Sequence, residues 1–137
     1  MTHLLDTSAV LAHYLDEPGA EDVDSLLAGG PEVAALAAPS WAELHRRLSE
    51  LIPEPDEADW IFERYTRLLC SMVPVDSAAV LAAIEINRKS SIRIPMIDSL
   101  IAGCAWSAGL ILVHRDPHMD AIQAKGLESL RLPDKSL

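Results

Sequence analysis

The sequence is poor in cysteine, in positive charge and in long apolar runs, and each shortage excludes a class of protein. Two cysteines in 137 residues are too few for the disulfide scaffold of a small secreted domain. We therefore expect Cys70 and Cys104 to be reduced, buried in predicted helices, and the protein to be cytoplasmic. The longest uncharged run, Ser99 to Val113, is too short to span a bilayer, and the N-terminus lacks the basic region of a targeting signal.

The shortage of positive charge limits how this protein could bind nucleic acid. Eleven Lys and Arg residues against 21 Asp and Glu residues give a formal net charge of −10. Such a surface repels nucleic acid, because nonspecific binding depends on Lys and Arg displacing counterions. A role with nucleic acid therefore needs a metal ion, a basic partner or a local basic rim. The candidates for that rim, which would serve equally well as ordinary solvated charges, are Arg46, Arg47, Arg88, Lys89, Arg93 and Arg115.

Apolar residues make up 50% of the chain, which favours a packed globule, and we expect a single domain over residues 1–137. Short apolar runs that predict strands cover residues 2–6, 33–37, 72–75, 110–113 and 127–132. Segments of helical periodicity cover residues 8–15, 20–28, 39–52, 56–69, 76–87, 97–108 and 119–123. This alternation predicts an α/β fold of three layers, α/β/α, around a parallel central sheet of four to five strands.

Three helices carry apolar stripes that we expect to be buried. Their members are Trp41, Leu44, Leu48, Leu51 and Ile52 in the third helix, Trp60, Ile61, Tyr65, Leu68 and Leu69 in the fourth, and Ile97, Leu100, Ile101, Cys104, Ala105 and Ala108 in the sixth. Asp56 is the expected cap of the fourth helix. A Pro-rich turn joins the third and fourth helices into a hairpin, which either covers the core or faces a partner. The strand at 72–75 should lie at a sheet edge, because Pro74 cannot donate a hydrogen bond to a neighbouring strand.

Four acidic residues lie where a parallel sheet collects its ligands, beyond the carboxyl ends of the strands. Asp6 follows the first strand, and Asp116 lies three residues beyond the strand 110–113. Glu43 falls in the first turn of the helix after the second strand, and Asp98 falls in the first turn of the sixth helix. We therefore expect all four side chains to point into one crevice.

Each acid alone has an ordinary structural explanation. Asp6 is a plausible N-cap, Ser40 and Glu43 match the S-x-x-E capping box, Asp98 complements a helix dipole, and Asp116-Pro117 is a common helix start.

Taken together, four carboxylates in one crevice would repel one another by roughly 1–4 kcal/mol per close pair. They remain ionised only around a shared cation, and oxygen ligands favour Mg²⁺ or Mn²⁺. Such a site suits phosphodiester hydrolysis. Asp6 and Asp98 are then the best direct ligands, Glu43 and Asp116 complete the metal site or orient the attacking water, and Thr7, Ser8 and Ser99 are expected to hold the carboxylates.

Four segments resemble the PIN-domain family: L-L-D-T-S-A-V, W-A-E-L, I-P-M-I-D-S-L-I-A and L-I-L-V-H-R-D. Their spacing is most similar to VapC-type members, the ribonuclease toxins of bacterial toxin–antitoxin pairs. The resemblance implies a PIN-like fold, a Mg²⁺-dependent endoribonuclease that hydrolyses RNA, a homodimer, and inhibition by a small cognate antitoxin. The acidic residues of the family match Asp6, Glu43, Asp98 and Asp116. Its usual Thr, Ser or Asn two residues before the last acid is replaced here by His114.

Three alternatives stay open beside this resemblance. His114, Asp116, His118 and Asp120 suggest a transition-metal site, although Pro117 breaks the helical spacing that such ligands need. Asp6 as the nucleophile of a haloacid-dehalogenase-like phosphatase would require a second aspartate where Ser8 stands. The third alternative is a PIN-like binding module that pairs with an antitoxin or another protein and cuts nothing.

Overall fold

The computed structural model describes residues 1–69, 72–122 and 124–135. Its elements in chain order are β1 His3–Leu5, α1 Thr7–Tyr14, α2 Ala20–Ala28, β2 Ala34–Leu36, α3 Ala38–Leu51, α4 Pro55–Leu68, α5 Ser77–Lys89, α6 Met96–Ala108, β3 Ile111–His114, α7 Pro117–Asp120 and β4 Ser129–Arg131. Over these ranges every helix is too short or too polar to cross a bilayer. Cys104 is a buried free thiol, whereas Cys70 lies outside the described residues.

The four strands form one parallel sheet in the order β2-β1-β3-β4. Leu5, the last residue of β1, is in register with Leu36 of β2 and with Val113 of β3. Because the strands run in the same direction, the residues that follow β1, β2 and β3 all leave the sheet at one edge. The predicted parallel α/β sheet is confirmed.

Alternate strand residues pack against helices on opposite faces of the sheet, as the period of two requires. Leu5 and Val113 belong to an apolar cluster formed with α1 to α4. Leu4 and Leu112 belong to a second cluster formed with α5 and α6. These two cores give the α/β/α layering that the sequence predicts.

Two predicted local features are wrong. The expected strand at 72–75 is only an isolated parallel bridge between Val73 and Ala37, because Pro74 has no N–H to extend a ladder. The cap of α4 is Glu54, whose carboxylate accepts from the backbone N–H of Asp56 at 3.0 Å, so Asp56 is inside the helix rather than its cap.

Some members of the predicted apolar stripes are exposed. Trp60, Leu51 and Ile97 expose 55%, 40% and 47% of their surface. Periodicity identifies the residues that share a helix face, but the width of the covered part depends on the neighbouring helices. Trp60 instead lies under the guanidinium of Arg64, 5.1 Å from the ring centre, on the outside of the α3–α4 hairpin.

Helices α5 and α6 approach each other closely at Gly103. A Cβ atom at this position would lie 2.4 Å from the carbonyl oxygen of Ala79 and 3.2 Å from the Cβ of Ala83. Only glycine permits this backbone contact. The contact fixes the position of α6, whose first turn carries Asp98.

Candidate metal site at the carboxyl edge of the sheet

Asp6 joins the end of β1 to the start of α1 and is 5% exposed. Its Oδ1 accepts hydrogen bonds from the Ser8 hydroxyl at 2.6 Å and from the Ala9 N–H at 3.0 Å, so Asp6 is the N-cap of α1. Its own N–H donates to the carbonyl of Val113 at 3.0 Å, which ties this carboxylate to the end of β3. A capping aspartate is thus fixed at the centre of the sheet edge.

Asp116 occupies the equivalent position after β3 and caps the short helix α7. Its Oδ1 accepts from both the backbone N–H and the ring Nδ1 of His118, each at 2.9 Å. The side chain is 27% exposed, so this carboxylate is more open to solvent than Asp6. Pro117 supplies the fixed first turn that lets His118 reach back to Asp116.

Asp98 lies in the first turn of α6 and shares a side-chain hydrogen bond with Asp116. Among the residues that the structure describes, Asp98, Asp116 and His118 form a group whose ligand atoms all lie within 4.8 Å of one another. Asp6 and Glu43 lie outside this group. The charge of Glu43 still acts on Asp98, and the charges of Asp98 and Asp116 act on Asp6.

Burial and neighbouring groups shift the pKa values of three of these acids. Burial raises the pKa of Asp6 to about 6, against the hydrogen bonds from Ser8 and Ala9, and the charges of Asp98 and Asp116 raise it further. Burial, followed by the neighbouring Asp116, raises the pKa of Asp98 to about 6. Burial also acts upward on Asp116, but the hydrogen bonds from His118 and Asp98 hold its pKa below the usual value. Asp98 and Asp116 therefore titrate as a pair around one hydrogen bond.

The donor set fits a divalent cation. Two carboxylates and an imidazole lie within reach of a single ion, and of the charges that act on Asp98 those of Asp116 and Glu43 are negative and that of His118 is positive. The buried hydroxyl of Thr7, the residue after Asp6, has no hydrogen-bond partner within the described part of the chain. Carboxylate oxygens favour Mg²⁺ and Mn²⁺, whereas the imidazole nitrogen is also a common ligand of later transition metals.

Of the two serines predicted to hold the carboxylates, Ser8 contacts an acid, whereas the hydrogen bonds of Ser99 go elsewhere. Ser8 donates to Asp6, as described above. Ser99 does not contact an acid: its hydroxyl donates to the Met96 carbonyl at 2.8 Å and accepts from Asn87 at 3.2 Å, because the first turn of α6 directs it inward.

The capping-box explanation of Glu43 is wrong. Helix α3 begins at Ala38, its N-cap is Ala37, and no side chain caps it. Pro39 lies in the first turn, where its missing N–H has no cost. Ser40 is therefore inside the helix, where its buried hydroxyl has no hydrogen-bond partner among the described residues, and Glu43 does not cap α3.

The alternative tetrad of two histidines and two aspartates does not come together. His114 is 1% exposed at the end of β3, and its nearest acid contact is Asp120, with Nε2 and Oδ1 3.9 Å apart. Burial lowers the pKa of His114 and so favours its neutral form. His118 instead groups with Asp98 and Asp116; its place beside Asp116 was among the sequence-based alternatives, whereas its association with Asp98 was not predicted. The proline that argued against helical ligand spacing is the residue that turns His118 towards Asp116.

One residue of the predicted basic rim, Arg115, is buried. Arg115 is 8% exposed and its guanidinium faces the turn between α1 and α2 rather than solvent. The burial follows from an ion pair with Glu17, a residue remote in sequence. Arg115 therefore cannot contact RNA from its buried position.

The comparisons with known proteins agree with the fold. The chain of VapBC2 from Rickettsia felis, solved bound to a DNA fragment from its promoter, superposes with a TM-score of 0.75 at 17% identity, covering 97% of this chain and 100% of that one. VapBC-5 from Mycobacterium tuberculosis, a member of the VapBC family of toxin–antitoxin systems, matches with a TM-score of 0.67 at 20% identity, covering 95% and 98%. FitAcB from Neisseria gonorrhoeae matches with a TM-score of 0.69 at 22% identity, covering 95% and 97%.

At these identities the likeness establishes the fold. No curated protein matches this chain in sequence. The family model of the PIN domain, in contrast, matches residues 3–125 and so spans β1, α6 and the residues of the acidic site. The chain belongs to the PIN domain family.

Proposed function

We propose that this protein is a VapC-type toxin, a metal-dependent endoribonuclease that hydrolyses RNA phosphodiester bonds. The observation that supports the proposal is the group of Asp98, Asp116 and His118, whose ligand atoms lie within 4.8 Å of one another and whose Asp98 feels the charge of Glu43, while Asp6 feels the charges of Asp98 and Asp116. Burial and, to a smaller extent, neighbouring negative charges raise the pKa values of Asp6 and Asp98 and so disfavour their ionised forms. A bound cation would offset this cost, because it stabilises the ionised carboxylates.

The sequence favoured Asp6 and Asp98 as direct ligands of Mg²⁺, for which Mn²⁺ substitutes. We propose Asp98 and Asp116 in that role, because they belong to the group whose ligand atoms lie within 4.8 Å of one another, with Asp6 and Glu43 completing the site. A bound ion of this kind polarises a phosphate oxygen and activates a water molecule. Asp6 and Glu43 supply the negative charge that orients such a water, and Ser8 holds Asp6 by its hydrogen bond. His118 holds Asp116 in the same way and adds a possible nitrogen ligand.

The test is cleavage of structured RNA by the purified chain with Mg²⁺ or Mn²⁺, with a chelator, and with the Asp98→Asn variant. We expect cleavage with the metal, and its loss both with the chelator and in the variant. Asp76→Asn is the matched control, because Asp76 is also an aspartate at a helix start but is exposed and outside the acidic group. Cleavage that ignores the chelator and Asp98→Asn would contradict the proposal.

A small antitoxin is the proposed protein partner, supported by the fold shared with chains from toxin–antitoxin complexes. Expression of the chain alone in a bacterial host should arrest growth, and expression of Asp98→Asn should not. The protein encoded beside it is the first candidate to relieve the arrest. A chain that binds this partner but neither arrests growth nor cleaves RNA would be the binding module instead.

We also propose a homodimer, which the resemblance implies. The α3–α4 hairpin is the expected interface, with Trp60 exposed on its outer side. Light scattering should give twice the mass of the chain for the native protein and a monomer for Trp60→Ser. Leu81→Ser, at a 64% exposed position of α5, is the matched apolar control. A dimer that only Leu81→Ser dissociates would contradict the hairpin as the interface.

A further inference from the structure

Arg115 is a buried cation that links the acidic site to a distant turn. One guanidinium nitrogen lies 3.3 Å from Oε1 of Glu17, and the other terminal nitrogen donates to the Pro18 carbonyl at 2.7 Å. Both partners belong to the turn between α1 and α2, 97 to 98 positions away in sequence. The side chain therefore connects the exit of β3 to the far end of α1.

The backbone of Arg115 continues the connection to the site. Its N–H donates to the hydroxyl of Ser8 at 3.3 Å, and the same hydroxyl donates to Oδ1 of Asp6 at 2.6 Å. The next residue in the chain is Asp116, the cap of α7. Arg115 is therefore bonded to Asp116 along the chain, and its N–H contacts Ser8, the residue that donates a hydrogen bond to Asp6.

Stability alone does not explain a charge in this position. Burying an ion pair costs a desolvation penalty that its attraction often fails to exceed, and apolar replacements of similar volume are frequently as stable. Glu17 also has a second cation, since the Lys135 ammonium lies 3.7 Å from its other oxygen. The Nε of Arg115 has no hydrogen-bond partner among the described residues, so the interaction is also incompletely satisfied. The feature that distinguishes Arg115 from Lys135 is its connection to Ser8 and Asp116.

We propose that Arg115 is a positioning residue. Anchored on Glu17 and Pro18, it fixes the segment that follows β3 so that Ser8 keeps Asp6, and the chain keeps Asp116, at the separation that a shared cation requires. This inference rests on the proposed function, because it concerns the same site. It adds a residue that does not touch the metal, and it removes Arg115 from any role in RNA contact.

The experiment measures Mn²⁺ affinity by isothermal titration and RNA cleavage in parallel. Arg115→Met keeps the volume and loses the anchor, and we expect Mn²⁺ binding about 10- to 100-fold weaker, as for the loss of groups that orient metal ligands. Arg115→Lys keeps the charge but not the planar fork that reaches two acceptors, and should give an intermediate affinity. Lys135→Met is the matched control, because it removes the other cation of Glu17, and it should bind Mn²⁺ as the native protein does.

The double variant Arg115→Met with Glu17→Gln protects the test against misfolding, because it leaves no buried charge unpaired. If the anchor acts as one unit, the double variant weakens Mn²⁺ binding by the same factor as Arg115→Met alone. Native affinity in the folded double variant overturns the proposal, and so does equal weakening by Lys135→Met. A native protein that binds Mn²⁺ but cleaves no RNA overturns the proposed function and leaves the positioning role standing.

Discussion

Two aspartates begin helices in this fold with almost the same local geometry, and only one belongs to the acidic site. Asp6 has φ −86° and ψ 173°, and its carboxylate accepts from the N–H of Ala9 at 3.0 Å. Asp76 has φ −91° and ψ −176° and accepts from the N–H of Ala79 at 2.9 Å. Asp6 is buried among other acids, whereas Asp76 is exposed. The cap motif is therefore the same, and the tertiary surroundings determine which aspartate has a role in the site.

The largest difference between the two caps should be in activity. Asparagine caps a helix as well as aspartate, so Asp6→Asn and Asp76→Asn both keep the local structure. We expect Asp6→Asn to lower RNA cleavage by more than about 100-fold, because loss of groups behind the ligands alone costs 10- to 100-fold. Asp76→Asn should cleave at the native rate. Equal rates for the two variants in a quantitative cleavage assay would mean that Asp6 is only a cap.

A smaller difference is expected in stability without metal. The pKa of Asp6 is raised from 3.8 to about 6, so its stabilising protonated form is fully present below pH 3.8 and is lost as pH rises through about 6. At pH 7.5 the ionised carboxylate should cost about 1–3 kcal/mol. Asp6→Asn should therefore raise the free energy of unfolding in urea with chelator present.

The matched variant should behave differently in the same measurement. Asp76→Asn loses a charge that complements the helix dipole, so its free energy of unfolding should fall by about 0.3–1 kcal/mol. Adding Mg²⁺ should stabilise the native protein and leave Asp6→Asn unchanged or nearly so. If Asp6→Asn instead has a lower free energy of unfolding than the native protein in chelator, the ionised Asp6 carboxylate does not destabilise the fold.

The pH dependence of metal binding sharpens the comparison further. The proposed ligand Asp98 and the supporting Asp6 both have pKa values of about 6, and a protonated carboxyl neither binds the metal nor supplies negative charge to the site. Mn²⁺ affinity should therefore fall as pH drops through 6, by about tenfold per pH unit for each proton that must be released. Titrations from pH 5 to 8 should give the same profile for Asp76→Asn, and a flat native profile would contradict the assigned ligands.

The smallest expected effect concerns the one hydroxyl that distinguishes the two caps. Ser8 donates to Asp6 and lowers its pKa, whereas the equivalent position after Asp76 is Ala78. Ser8→Ala should raise the midpoint of the pH profile and weaken Mn²⁺ binding at pH 6.5 by roughly five- to tenfold, the effect of about 1–1.4 kcal/mol. Unchanged binding would mean that the hydrogen bond at 2.6 Å does not support the ligand set.

The parts of the fold that the sequence predicted are those with local causes. The apolar run before Asp6, the branched residues of β3 and the α/β alternation are each visible within a dozen residues. The expectation that the four acids share one crevice came from a rule about parallel strands and their shared edge, and the structure groups Asp98 and Asp116 with His118. The strand at 72–75 and the helix caps at Asp56 and Glu43 were local errors, whereas the others arose where a distant segment decides the outcome.

Arg115 shows this limit most clearly. Its charge favoured an exposed position, but Glu17, 98 positions away, makes a buried one possible. His118 is a second case, since only the fold brings Asp98 beside it. Trp60 is exposed because no neighbouring helix covers its part of the apolar stripe. A single sequence contains no local signal for any of these three.

The glycine at the α5–α6 crossing has a consequence for how the acidic site responds to its ion. A helix that touches its neighbour through the main chain at Gly103 has no side chain there to compress or rotate. Asp98, in the first turn of that helix, therefore lies on a helix whose spacing from α5 is set by direct backbone contact. If the proposed function holds, binding of a cation should release protons from Asp6 and Asp98 while the spacing of α5 and α6 stays unchanged.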